Sequence, residues 1–323
     1  MSRWLIRRIA EAVATTVVAL VLLIVLLHLL PGDPLSALLG DRGADPAVRA
    51  ALGQCWGNDR NTWQSVTTYF NCLAHGDLSI SLSKQEPVLQ LIRERLGPTL
   101  LLGGLTLLID FTIGLALGVW SALHPDSWRA RFLSAVTIVG YTLPSFVVGM
   151  FLVWLFAVRF HWLPTGNFSD VLLSTDSGFA TIWADHLKHL ILPLGAMVIA
   201  TIAVPLRQQR IAAMNTAAAP WVLAARARGV APFAVAWRHC WRPALTPIVT
   251  LFGLWLPMLV AGAVFVESVF SWPGMGSLLA EATAARDVPV VIAAGFVLVL
   301  AVQLGSLVAD TLYFVVDPAQ RPS

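Results

Sequence analysis

His186 and His189 are three residues apart and could share one helix face, a spacing open to a metal pair and also to an interfacial turn ahead of an apolar block. The interfacial turn is the better fit. Lys84 and Lys188 are the only lysines. A phosphate-binding loop ends in Gly-Lys-Ser/Thr, so that backbone amides and the lysine hold the phosphates. Lys84 lies between Ser83 and Gln85, and Lys188 between Leu187 and His189, so neither fits. No His-Glu-x-x-His occurs, which excludes a zinc protease of that type. No serine stands in a nucleophile-elbow sequence. The chain is therefore expected to be no enzyme, with no catalytic residue, metal or cofactor of its own. Asp110 remains, near the middle of an apolar run. A carboxylate within a membrane span is costly and faces a bundle interior or water. It either lines a polar passage or hydrogen-bonds a neighbouring helix. Asp310, nearer the end of its run, reads as an anchor.

The elements that must carry these residues are membrane spans. The chain of 323 residues is 57% hydrophobic and only 12% charged, about half the charge of a soluble domain. The apolar residues come in blocks long enough to cross a bilayer core, which takes about 20 residues. The first runs from Ile6 or Ala10 to Leu30, behind Arg3, Arg7 and Arg8. It is longer than a signal-peptide core and reads as a retained span. A polar segment, 31–96, has no spanning block and is expected to form a small cap. Within it, 45–53 reads as a short helix with a Gly stop. Five more spans are expected at about 97–123, 132–160, 189–206, 245–266 and 288–316. Gly114 and Gly118 form a small-xxx-small pair that suits close helix approach, although glycine is common in spans anyway.

Arginine placement sets the orientation. Arg129 and Arg131 follow the second span. Arg207, Arg210, Arg226, Arg228, Arg238 and Arg242 lie in the loop 207–244, and Arg321 lies in the tail 317–323. The loop 161–188 is acidic, with Asp170, Asp176 and Asp185. The positive-inside rule then puts both termini, 1–30 leading into the first span and 317–323 at the end, on the cytoplasmic side. The arginines serve topology rather than nucleic acid. Cys55 and Cys72 fall outside, where they are either joined in a disulfide or two thiols in a folded cap. Cys240 faces the reducing side.

The loop 207–244 is the most informative segment. Trp221 to Gly229 reads as a short Ala/Arg helix stopped by glycine, which can take the left-handed conformation that ends a helix. Pro232 opens a second helix toward Trp241. The pair suits docking into a groove of another protein.

At these residues the chain resembles the dipeptide/oligopeptide/nickel permeases of ABC importers. Ala225-Arg226-Ala227-Arg228-Gly229, His239, Arg242-Pro243-Ala244-Leu245 and Pro247 are similar to that family's cytoplasmic loop, with Arg228 in place of lysine and Pro243 in place of asparagine. Leu30-Pro31-Gly32-Asp33-Pro34, His75 to Ser81, Pro87-Val88, Trp162 to Gly166 and His189 to Pro193 also fit. So do Glu267, Phe270 to Gly276, Arg286-Asp287, Pro289, Asp310, Tyr313 and Asp317-Pro318. Ile80 and Ala319 depart from it.

The resemblance implies an all-α polytopic membrane protein of six transmembrane helices, with the type I ABC importer permease fold and an extracytoplasmic cap between the first two. It implies a bacterial inner-membrane subunit, paired with a second, distinct permease. Two cytoplasmic P-loop ATPase domains, which carry the ATP and Mg, would dock at Ala224–Gly229, with His239 and Arg242 nearby. An external solute-binding protein would deliver short peptides, or alternatively nickel, a metallophore or glutathione. Glu267, Trp272, Pro273, Gly274 and Gly276 would lie at the outer mouth. An ion-coupled secondary transporter is the competing class, but it would carry more buried charge and matching half-repeats.

Overall fold

A computed structural model describes residues 2–29, 62–170 and 178–316. They form α1 (Ser2–Leu29), α2 (Thr62–Ala74), α3 (Val88–Leu123), α4 (Trp128–Thr142), α5 (Ser145–Arg159), α6 (Phe179–Thr201), α7 (Ala203–Ala217), α8 (Pro220–Ala227), α9 (232–244), α10 (Thr246–Val269), α11 (Met275–Ala284) and α12 (Val288–Val316). The strand-like feature among the described residues is an antiparallel bridge between Ile80 and Pro87. The expected helix at 45–53, Cys55, Asp176 and the tail 317–323 lie outside the described residues, as does the first half of the expected cap.

Segments of α1, α3, α6 and α12 are long and apolar enough to cross a membrane, and the α4–α5 pair can supply one more span. Between 17% and 33% of each apolar window is buried inside the fold. Most of that apolar surface therefore needs lipid or another subunit against it. α10 adds a further helix of 24 residues at the fifth expected block.

Three boundaries differ from the sequence reading. The block at 132–160 is not one rod but two helices bent by 106°. Leu143 is extended (φ −82°, ψ 135°) and Pro144 follows it. A residue before proline is pushed out of the helical region, and proline offers no N–H to continue the ladder. The block at 97–123 begins at Val88, because the helix absorbs Pro98 in its interior. The block at 189–206 starts at Phe179 and ends at Thr201. Ile202 keeps helical angles there, so α7 carries helix on into the expected loop.

The chain divides into two compact units, Met1–Leu100 with Pro273–Leu304 and Leu101–Trp272 with Gly305–Ser323. In the first, Leu20 and Ile24 of α1 pack with Val66 and Tyr69 of α2 and with Val288 and Ile292 of α12. Val88, Leu91 and Ile92 at the start of α3 pack with Met275, Leu278, Val290 and Ala293. In the second, Val148, Leu190, Ala196, Trp255, Val266, Phe270 and Trp272 share one core. Gly118 lies against α7: a Cβ there would fall 2.6 Å from the Leu206 carbonyl and 2.9 Å from the Gln209 Cβ, while one at Gly114 would meet Ile202. The Gly114/Gly118 pair thus seats a helix of the same chain.

Candidate functional site

The segment α8–α9 is built from local chemistry. Pro220 occupies the first turn of α8, where a missing N–H costs nothing. The helix closes through Gly229, whose φ is +78°. The Gly229 N–H donates to the Arg226 carbonyl at 2.9 Å and the Val230 N–H to the Ala225 carbonyl at 3.2 Å. This is the paired-bond stop that a left-handed residue makes possible. Val230 then packs against Val222, Val235 and Cys240, holding the turn in place.

Burial divides the α8 residues into two faces. Val222 and Ala225 point inward, whereas Ala224, Arg226, Ala227, Arg228 and Gly229 are exposed. Beside them stand large apolar side chains in the open: Trp221, Leu223, Trp237 and Phe233, the last 79% exposed. Trp237 stacks on Trp241 at 5.5 Å. His239 is half-buried on the π-helical turn Val235–Trp241, and Arg242 follows it in α9. The structure thus gathers the expected coupling residues into one helix–turn–helix. Its exposed face is more aromatic than the alanine-rich sequence suggests. Beneath that face, burial pushes the Cys240 thiol up, with Arg226 pulling weakly the other way.

Of the residues expected at the outer mouth, Glu267 and Trp272 are buried within the chain, as is their neighbour Phe270. Glu267 is 0% and Trp272 1% exposed, so neither side chain is presented to an incoming protein. The Trp272 N–H donates to the Glu267 carbonyl at 2.8 Å, and the indole ring meets Phe168 edge-on at 4.9 Å. The Asn167 N–H donates to the Phe270 carbonyl at 2.7 Å. These residues lock the loop 160–170 onto the end of α10. The chain passes into the other unit at Pro273. There Gly274 and Gly276 are buried at the start of α11, whose first turn is tied down by Ser277 Oγ accepting from the Gly274 N–H at 3.1 Å. Thr99 Oγ1 accepts from the Met275 N–H at 2.7 Å.

Asp110 begins a π-helical turn, Asp110–Gly114, inside α3. Such turns widen a helix locally and recur at functional positions. Its side chain is fully buried, with Thr201 of α6 and Trp255 of α10 beside it. Neither carboxylate oxygen, nor the Trp255 Nε1, has a partner in good hydrogen-bond geometry among the described residues. A carboxylate held this way in an apolar helix bundle is expensive unless something polar meets it in another state.

The two histidines separate. His186 lies against Phe168 with ring centroids 4.6 Å apart, and His189 pairs with Asp185 at 3.3 Å. Asp185 also accepts from the Asp170 N–H at 2.9 Å, closing the loop onto α6. Cys72, on α2, is disulfide-bonded. Its expected partner Cys55 lies outside the described residues.

Sequence reasoning missed two long-range ties. Arg210 of α7 donates to Ser134 Oγ of α4 at 3.0 Å. Asp287, read only as part of a motif, is fully buried and accepts from Ser81 and Ser83. An aspartate directly before a long helix is a signal of capping, but nothing local points it at residues 81–83.

A family model described as "Binding-protein-dependent transport system inner membrane component" matches residues 114–322. A putative peptide permease protein of Brucella ovis is 34% identical over 320 residues, 98% of either chain. The dipeptide transport system permease protein DppB of Escherichia coli K12 is 33% identical over 338 residues, 99% of either chain. The glutathione transport system permease protein GsiC of Shigella flexneri is 32% identical over 321 residues, again 99% of either. Among solved structures, the inward-facing MetNI methionine ABC transporter is similar with a TM-score of 0.52 at 17% identity, covering 71% of this chain and 97% of that one. At that identity the likeness concerns the fold.

Proposed function

Because the chain belongs to the family of binding-protein-dependent transport system inner membrane components, we propose that it forms half of the pathway of an ATP-driven importer for short peptides. The observation that carries this reading is full-length similarity to peptide permeases, joined to an exposed helix–turn–helix whose stop is built on Gly229. That segment has a rigid turn, aromatic side chains in the open and arginines at its rim, which suit a groove on an ATPase subunit.

In this reading a second, homologous permease completes the pathway. Two P-loop ATPase domains hold ATP and Mg and dock on α8, while the chain itself hydrolyses nothing. Both termini and the α7–α9 segment lie in the cytoplasm, since the arginines concentrate there. α2 and the rest of the cap then lie outside, where an external binding protein delivers solute and a bridge between Cys72 and Cys55 persists. ATP drives the pathway between outward- and inward-open states by binding them with different affinity. Asp110 meets the solute in one of them.

Glutathione is the second substrate reading, supported by the similarity to GsiC. One experiment separates the readings. The tagged chain is purified from mildly solubilised membranes, tested for ATPase subunits and a second permease, and reconstituted for uptake of labelled alanyl-alanine. Co-purification and ATP-dependent dipeptide uptake support the peptide reading. Absence of dipeptide uptake together with ATP-dependent uptake of labelled glutathione, which unlabelled alanyl-alanine leaves untouched, selects the second reading. A chain that emerges alone and takes up solute with an ion gradient overturns both.

A further inference from the structure

Asp287 stands between the exposed Arg286 and the start of α12, yet its carboxylate is fully buried. An aspartate capping its own helix accepts from N–H groups two or three residues ahead. Here the donors come from the other side of the sequence. Oδ2 accepts from Ser81 Oγ at 2.6 Å, Ser83 Oγ at 2.7 Å and the Ser83 N–H at 3.0 Å, and Oδ1 accepts from the Leu82 N–H at 3.1 Å. Hydrogen bonds to an ionised acceptor are about twice as strong as neutral ones. Ser81 Oγ in turn accepts from the Lys84 N–H at 3.0 Å. The Ser81 N–H donates to the Glu86 carbonyl at 2.9 Å, so the whole loop 79–87 is organised around this carboxylate.

On the surface of that loop, Lys84 Nζ lies 2.9 Å from Glu281 of α11. Both side chains are substantially exposed, and such pairs contribute little to stability. The loop is therefore held by the buried carboxylate rather than by this surface pair, and Glu281 also faces Arg95 at 3.9 Å. Arg286 and Glu86 are also exposed, the one just after α11 and the other on the loop 79–87. The result is a pre-set polar surface of both signs, on the segment that directly follows α2 of the cap.

Resting on the importer reading above, we propose that Asp287 is a positioning residue for docking of the external binding protein, through the loop 79–87 and α11. A loop already fixed costs less to order on contact, so its release weakens docking more than turnover. Opposite charges on both sides of an interface also set its register and its on-rate.

The test uses proteoliposomes containing the assembled transporter. Its cognate binding protein, loaded with alanyl-alanine, is titrated against the ATPase rate. Asp287→Asn raises the half-saturating concentration about tenfold, with the maximal stimulated rate within about twofold of the parent. Ser83→Ala removes one bond from the same oxygen and raises it about threefold. It decides the matter if Asp287→Asn does not assemble. Unmoved half-saturation in the variants that assemble, or a loss confined to the maximal rate, overturns the proposal. If the parent transporter itself ignores the binding protein, the importer reading fails and this proposal falls with it. That outcome is distinct, because it is seen before any substitution is made.

Discussion

Gly166 lies directly against the backbone of Phe270: a Cβ at Gly166 would stand 2.3 Å from the Phe270 carbonyl oxygen. The obstacle is backbone, which cannot swing aside as a flexible side chain can. Gly166→Ala is therefore expected to push the loop 160–170 off the end of α10, at about 1–3 kcal/mol for an overpacked site. A thermal melt of the purified complex reads this as a lowered Tm. Gly103→Ala, in the interior of α3 with open space around its Cβ, serves as the control that does not fall below the parent value.

Gly229 fails for a different reason. Nothing lies within 4 Å of a Cβ built there, so the cost of replacing it comes from φ +78° alone. An L-residue in that region costs roughly 1–2 kcal/mol, and a β-branched one is a true outlier. Gly229→Val should reduce ATP-driven uptake and ATPase recovery severalfold, whereas Gly229→Asn, a tolerated left-handed residue, should keep most of both. Equal behaviour of the two variants would remove the turn from the coupling mechanism.

Cys240 offers a reporter of the same segment. Its thiol is buried and its pKa is raised by that burial, so the reactive thiolate is scarce at neutral pH. A charged maleimide added to the intact complex should leave Cys240 unlabelled, and labelling should follow denaturation. Raising the pH increases the thiolate fraction, so any slow labelling should accelerate toward alkaline pH. Rapid labelling of the native complex near neutral pH would show that α9 stands away from the turn.

Asp110→Asn tests the pathway role. The substitution keeps shape and removes charge. If the carboxylate meets solute, the KM for lysine-containing dipeptides should rise about threefold relative to neutral dipeptides, a difference worth under about 1 kcal/mol. An unchanged ratio of cationic to neutral uptake would return Asp110 to a purely structural place beside Thr201 and Trp255.

The legible parts of this molecule are those whose causes are local. Apolar length and arginine placement announce spans, and Gly229 announces a helix stop, because capping is settled within a few residues. The block 132–160 reads as one span although it contains Pro144, because whether a proline inside an apolar block bends it depends on what packs around it. Pro98 sits within α3 and Pro144 parts α4 from α5. The motif around Trp272 was legible as a motif. Its burial was not, since aromatic and glycine residues serve equally at a mouth and in a core. The Ser81–Asp287 pair spans 206 positions, and no periodicity carries information over that distance.

The elbow at Leu143–Pro144 has a consequence for the bilayer itself. The first arm holds 15 residues and rises about 22 Å at 1.5 Å per residue. The second is shorter, because its last seven residues, Val153–Arg159, form a wider π-helical turn, whereas the hydrocarbon layer is roughly 30 Å thick. Bent by 106°, the two arms cannot add their lengths along one normal. A hydropathy plot draws one straight crossing where the chain makes a bent one. The leaflet beside that bend must thin or tilt its headgroups to meet it, unless other protein fills the space. Membrane thickness thereby becomes a variable to which this one element is exposed more than its straight neighbours.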